Sequence, residues 1–199
     1  MIMPKEKREI QKQDIMPLDV YIKNRKELRK NIVSFKKDRR IALGPYATFY
    51  FESYETMLAQ VQEMLYIEKG GDEQLKDELE AYNPLIPNGK ELTATLMFEI
   101  DNPVSRSAFL SKVGGIEEKV FIKIDGEIAK AVPEKDVDRT SADGKASSVQ
   151  FIHFELTDKQ IQKFKSKNID IELGIDHNEY SHTTKLSLEN INSLSADFN

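Results

Sequence analysis

The chain has 199 residues, 39% hydrophobic and 32% charged, with a formal net charge of −5, a balance that suits one well-filled soluble domain and is short for two. It has no cysteine, which excludes disulfides, cysteine-ligated iron–sulfur clusters, zinc–thiolate sites and thiol nucleophiles in this chain. No apolar run approaches the roughly 20 residues of a membrane span and the first residues lack an apolar signal core, so a cytoplasmic location is expected.

The charge is uneven. Between Lys23 and Arg40 nine bases (Lys23, Arg25, Lys26, Arg29, Lys30, Lys36, Lys37, Arg39 and Arg40) face two acids, Glu27 and Asp38, a local +7 that leaves −12 for the rest. A basic element on an acidic body either docks on that body or offers a surface to an anionic partner.

In chain order, residues 1–13 are polar and aperiodic and are expected to form a flexible tail, with the single folded domain spanning 14–199. From Pro17 the pattern turns helical: Leu18, Tyr21, Ile22, Leu28, Ile32 and Phe35 share a stripe, predicting a long basic helix over about Leu18–Lys37. Its bases are not interleaved with aromatics, so nucleic-acid binding is disfavoured against a solvated face. Arg40–Leu43 and Tyr46–Phe51 read as strands around Gly44-Pro45. Ser53 is placed to cap a helix carrying Tyr54, Met57, Leu58, Val61, Met64 and Leu65, which Gly70-Gly71 closes. Asp72 opens a second helix with Leu75, Leu79 and Tyr82 on one side. Asn83-Pro84 stops it, because the residue before proline is pushed out of the α region. Leu85-Ile86, between two prolines, is expected to be a buried apolar plug.

Further on, Leu92–Ile100 alternates as a half-buried strand, and Asn102-Pro103 caps a short helix. Asp125-Gly126 between Lys119–Ile124 and Glu127–Val132 signals a hairpin. Asp136–Ala146 reads as a loop with Ser141-Ala142-Asp143-Gly144 at its tip. Ser147–Leu156 is a strand, Thr157-x-x-Gln160 a capping box, and Ile169–Ile175 and Tyr180–Leu186 are strands around the turn Asp176-His177-Asn178. A helix begins at Ser187. Interleaved helices and strands with an antiparallel hairpin point to one α+β domain, with a mixed or largely antiparallel sheet and helices mainly on one face.

Few groups suggest chemistry. Glu179-x-x-His182 has a spacing used by di-iron sites, but it occurs once and in a turn or strand. His177 and His182 with Glu63 or Glu78 are the candidate ligands for a mononuclear transition-metal site. The ordinary explanation is a turn capped by Asp176 with a surface His177. His153 alternates away from Ile152 and Phe154 and is expected to be a hydrogen-bonded, half-buried imidazole. Of the glutamates in Ser53–Pro87 most are helix surface, with Glu63 and Glu78 bordering the apolar stripes. There is no nucleotide loop, haem motif, nucleophile elbow or catalytic triad.

Four segments, Arg39-Arg40-Ile41-Ala42-Leu43-Gly44-Pro45, Gln60-Val61-Gln62-Glu63-Met64-Leu65, Asp77–Pro87 and Gly174-Ile175-Asp176-His177, together resemble the bacterial domain-of-unknown-function family number thirty-five-oh-one, in order and from Leu18 onward. The resemblance implies a setting rather than a reaction. Members tend to be encoded beside rubrerythrin-like proteins and an iron–sulfur oxidoreductase, which suggests an accessory part in redox chemistry or peroxide defence. Where the family pattern has His, Arg and Pro this chain has Gln150, His153 and Asn178, which argues against a metal site on that strand. The matching polar groups Glu63, Glu78, Tyr82, Asn83, Asp176 and His177 are the candidate functional residues. Three classes therefore stand: an accessory factor docking on a redox partner, a His/carboxylate metal enzyme, and an anion or nucleic-acid binder using the basic helix.

Overall fold

Among the described residues the strands divide between two sheets. In the computed structural model, which describes residues 8–134, 140–141, 144–166 and 169–198, β1 (Arg40–Leu43), β2 (Ala47–Phe51), β3 (Glu91–Phe98), β7 (Val149–Glu155) and β6 (Val132–Pro133) form a five-stranded sheet in that order. A second sheet runs β5 (Glu127–Lys130), β4 (Val120–Ile124), β8 (Ile171–His177) and β9 (Tyr180–Lys185). Every pairing is antiparallel. The α+β class therefore holds, with two sheets in place of the expected one.

Alternation sends Phe49, Phe51, Leu92, Leu96, Ile152 and Phe154 of the first sheet into one core with Val120, Ile122, Ile124, Ile171, Leu173 and Ile175 of the second. The helices divide as well. Helices α5 (Asp158–Ser166) and α6 (Leu188–Leu194) add Ile161, Phe164, Ile191 and Leu194 to that core. On the other face of the first sheet α2 (Tyr54–Glu68) and α3 (Gly71–Tyr82) enclose a second cluster of Tyr54, Met57, Val61 and Leu75 packed with Phe151. The plug Leu85-Ile86 belongs to this cluster and is buried as expected.

Local signals act where the sequence put them. Ser53 caps α2 by accepting from the Thr56 amide, and Thr56 and Thr95 hydroxyls donate to the buried Glu52 carboxylate at 2.6 and 2.8 Å. A carboxylate there also faces the positive end of the helix. Asn102 caps α4 (Pro103–Leu110), with Pro103 in its first turn. Asp125 and Gly126 both take positive φ (49° and 80°), which the tight β4–β5 hairpin requires. At the end of α2 the left-handed residue is Lys69, with Gly71 taking the next positive φ.

The expected tail shortens. Ile10 is 1% exposed and packs in the second cluster, while Arg8 donates to the backbone oxygens of Pro87 and Asp197. Residues 1–7 lie outside the described residues, as does most of the expected loop from Asp136 to Ala146. Of that loop Thr140 and Ala146 form an isolated antiparallel bridge.

One buried ion pair joins distant parts. Arg39, 2% exposed, donates from Nε to Phe51 O, from Nη1 to Ser193 O, and from Nη2 to Glu52 O and to Asp197 Oδ2 at 2.5 Å. Burial pushes the Asp197 carboxyl above its ordinary value, and the Arg39 guanidinium opposes that shift. Removing either partner strands the other in the core. Arg39→Met is therefore expected to lower unfolding free energy by about 3–5 kcal/mol in urea titrations, and Arg39→Met with Asp197→Leu to lose less than the two single changes summed.

Candidate functional site

The most unusual surface belongs to α1 (Leu18–Lys36), a 19-residue helix in which Tyr21 is the only buried residue. An amphipathic helix on a globular body ordinarily buries its whole apolar stripe. Here Leu28 and Ile32 are half-buried, but Leu18, Val20, Ile22, Val33 and Phe35 are exposed, Ile22 by 52% and Val33 by 69%. Half of the expected stripe, Leu18, Ile22 and Phe35, is thus exposed, and Val20 and Val33 add to it from outside the stripe, among Lys23, Lys26, Arg29 and Lys30.

What holds α1 is polar and concentrated at one carboxylate. The Tyr21 hydroxyl donates to Glu63 Oε2 at 2.5 Å, and Arg25 grips the same carboxylate from Nε and Nη2. Arg25 also lies 4.4 Å over the Tyr66 ring, which Tyr21 meets edge-on at 6.0 Å. Burial and the Glu63 carboxylate push the Tyr21 hydroxyl up to about 12, and Arg25 holds Glu63 below the usual carboxylate range. Glu63 is therefore the anchor of α1.

The other candidate residues also have structural partners. Glu78 is buried on α3 and accepts from Gln74 Nε2 at 3.1 Å. The Tyr82 hydroxyl accepts from Gln60 Nε2 at 3.4 Å. Asn83 clamps the backbone of Ile10, accepting from its amide and donating to its carbonyl. Asp176 and His177 end β8, where the Glu179 amide donates to His177 Nδ1 at 3.2 Å. Among the described residues no three His, Asp or Glu side chains are grouped so as to hold a metal ion. His177, His182, Glu63 and Glu78 are therefore not brought together as a ligand set, because the two glutamates lie on α2 and α3 and the two histidines on β8 and β9.

His153 has two acidic partners that the sequence did not reveal. Its Nδ1 lies 3.0 Å from Glu91 Oε2 and its Nε2 2.9 Å from Glu134 Oε2. Strand alternation placed the ring away from the core, but no sequence signal links a residue opening β3 with one following β6.

His182 sits elsewhere again. Its ring meets Tyr180 edge-on at 4.5 Å and passes over Gly44. Gly44 has φ +63°, and a Cβ there would come within 2.7 Å of the His182 ring and the Tyr180 hydroxyl. That hydroxyl donates to Leu43 O and accepts the amides of Tyr46 and Ala47, joining β9 to the β1–β2 turn. Beside it opens a cleft of about 380 Å³ between that turn, α4 and the start of β9.

The Glu91–His153–Glu134 arrangement has a pH consequence. The Glu91 hydrogen bond, then Glu134, raise the His153 pKa above its ordinary value against the opposing effect of burial. A raised folded-state pKa gives stability that is complete below the unfolded value of about 6.5 and is lost as pH rises through the folded value. The stability difference between the native chain and His153→Gln is expected to be largest at mildly acidic pH and to shrink toward alkaline pH, as read from urea midpoints.

Comparison with known proteins adds a family. The model of the family described as "Protein of unknown function (DUF3501)" matches residues 9–198. No curated protein matches the chain. A crystal structure described as a novel protein of unknown function from Burkholderia pseudomallei K96243 is similar throughout, with TM-score 0.89, 33% identity, and coverage of 96% of this chain and 99% of that one. Among the described residues no helix is long and apolar enough to cross a membrane.

Proposed function

We propose that this chain, which belongs to the DUF3501 family, is a cytoplasmic accessory protein that docks α1 onto a protein partner of a redox or peroxide-defence system. The observation that carries this reading is the exposure of α1: one buried residue in 19, with Ile22 and Val33 open to solvent among lysines. Exposed apolar residues grouped on one element mark interaction surfaces when basic residues rim them. Arg25, Arg39 and Arg40 are already paired with Glu63, Asp197 and Glu99, so it is the exposed Lys23, Lys26 and Lys30, without an ion pair among the described residues, that select a partner with an acidic docking face. The apolar side chains between the bases favour a protein over nucleic acid, which is bound through phosphates and base stacking.

The family resemblance supplies the class of partner, a rubrerythrin-like protein or an iron–sulfur oxidoreductase. A chain with no cysteine would bring no iron–sulfur ligands of its own to such a complex. Its contribution would be to position or regulate the partner. A His/carboxylate metal enzyme, the competing reading, would need ligands that the described residues do not group.

Mixing the purified full chain with the rubrerythrin-like protein and with the iron–sulfur oxidoreductase of the same organism tests this reading by calorimetry. A complex is expected with one of them, weakening as salt is raised. Ile22→Glu with Val33→Glu is expected to reduce its affinity about tenfold or more, with no loss of thermal stability because both side chains are exposed. No complex with either protein at low salt, or equal binding by the double variant, overturns it. Preferential binding of α1 to duplex DNA would replace it by the anion-binding reading.

A further inference from the structure

We infer that the cleft beside α4 binds a small aromatic monocarboxylate. Its volume, about 380 Å³, lies within the range of small-molecule sites. Its apolar wall is a set of rings fixed by one another. Tyr46 meets Phe109 edge to face at 5.2 Å, and Phe109 meets Tyr180 in the same way at 5.6 Å. Tyr180 is itself locked by three hydrogen bonds of its hydroxyl. Tyr46 nevertheless remains 41% exposed, so its ring is held in place without being covered. A planar ligand laid against Tyr46 and Phe109 would gain both buried area and a ring contact in a preferred geometry.

The polar groups lining the cleft decide the rest. Lys112 and His182 both line it. Among the described residues the Lys112 ammonium has no ion pair or hydrogen bond, and the His182 ring nitrogens have no hydrogen-bond partner, its ring contact being with Tyr180. An ammonium with no ion pair among the described residues, beside an apolar wall, matches a carboxylate, whose charge-assisted hydrogen bonds are stronger than neutral ones. His182 offers a second donor to the same group. The Tyr180 hydroxyl, already committed, offers none. Glu179 also lines the cleft and places a negative charge there, which disfavours dianions such as phosphate monoesters and dicarboxylates. A quaternary ammonium, the other ligand that aromatic walls accept, would meet the like charge of Lys112.

Indole-3-acetate added to the purified full chain tests the inference. The chain has no tryptophan, so with excitation at the red edge of the indole band, where tyrosine does not absorb, indole emission reports the ligand. A saturable change in emission is expected, with affinity falling about tenfold or more for Lys112→Met. Ala108→Phe, on the exposed face of α4 where folding tolerates it, is expected to fill the cleft and abolish binding. Indole-3-acetamide, which keeps the ring and loses the charge, is expected to bind as weakly as the acid binds the Lys112 variant. Absence of saturable binding overturns the inference, as does affinity unchanged by either substitution, equal affinity for the amide, or displacement of the acid by choline.

Discussion

The buried guanidinium of Arg39 fixes how the two ends of this chain meet the first sheet. It sits immediately before β1 and reaches the end of β2 through Phe51 and Glu52, α6 through Ser193, and the C-terminal segment through Asp197. Arg8 reaches the same segment through the Asp197 carbonyl. A charge this deep is tolerated only where nearly every N–H finds an acceptor. The acceptors come from positions 12 to 158 residues away in sequence. Strand order in the first sheet, the seat of α6 and the docking of the N-terminal segment are therefore mutually dependent.

That tight body contrasts with α1. Between Pro17 and Arg39 the helix is secured chiefly at Glu63 by Tyr21 and Arg25, and much of its apolar surface faces water. Neither Ile22 nor Val33 belongs to a core cluster, and Glu63 holds α1 at a set orientation while leaving those faces open.

The two sheets also create the cleft. The edge strands β1 and β9 of the two sheets approach each other, and Tyr180 bonds the β1–β2 turn and leans on Gly44. The aromatic set of Tyr46, Phe109 and Tyr180 thus serves first as a seam between sheets and, on the side where Tyr46 stays exposed, as a wall for a ligand. The exposed face of α1 and the cleft lie on different elements.

Local patterns were legible in the sequence because they depend on neighbours a few residues away. The caps at Ser53, Asn102 and Ser187, the Asp125-Gly126 hairpin, the Leu85-Ile86 plug between prolines and the alternation of β7 are all of this kind, whereas β3, expected to be half-buried, lies central in its sheet and is buried on both faces. The extent of α1 was legible too, but not that half of its stripe stays uncovered, since periodicity reports a face and never what lies opposite it. Long-range partners were out of reach. Nothing local pairs Arg39 with Asp197, His153 with Glu91 and Glu134, or Asn83 with Ile10. Of the candidate functional residues of the family motifs, Glu63, Glu78, Tyr82, Asn83 and His177 have hydrogen-bond partners within the fold itself. The sequence by itself determined the α+β class, most of the elements and the absence of thiol chemistry, but the expected strand Glu127–Val132 is divided between β5 in one sheet and β6 in the other, and the expected turn at Asp176-His177 is the end of β8. Only the tertiary structure decided which carboxylates meet a cation, how the strands divide between two sheets, and where Lys112 and an open ring face share one cleft, because those depend on contacts between residues far apart in the chain.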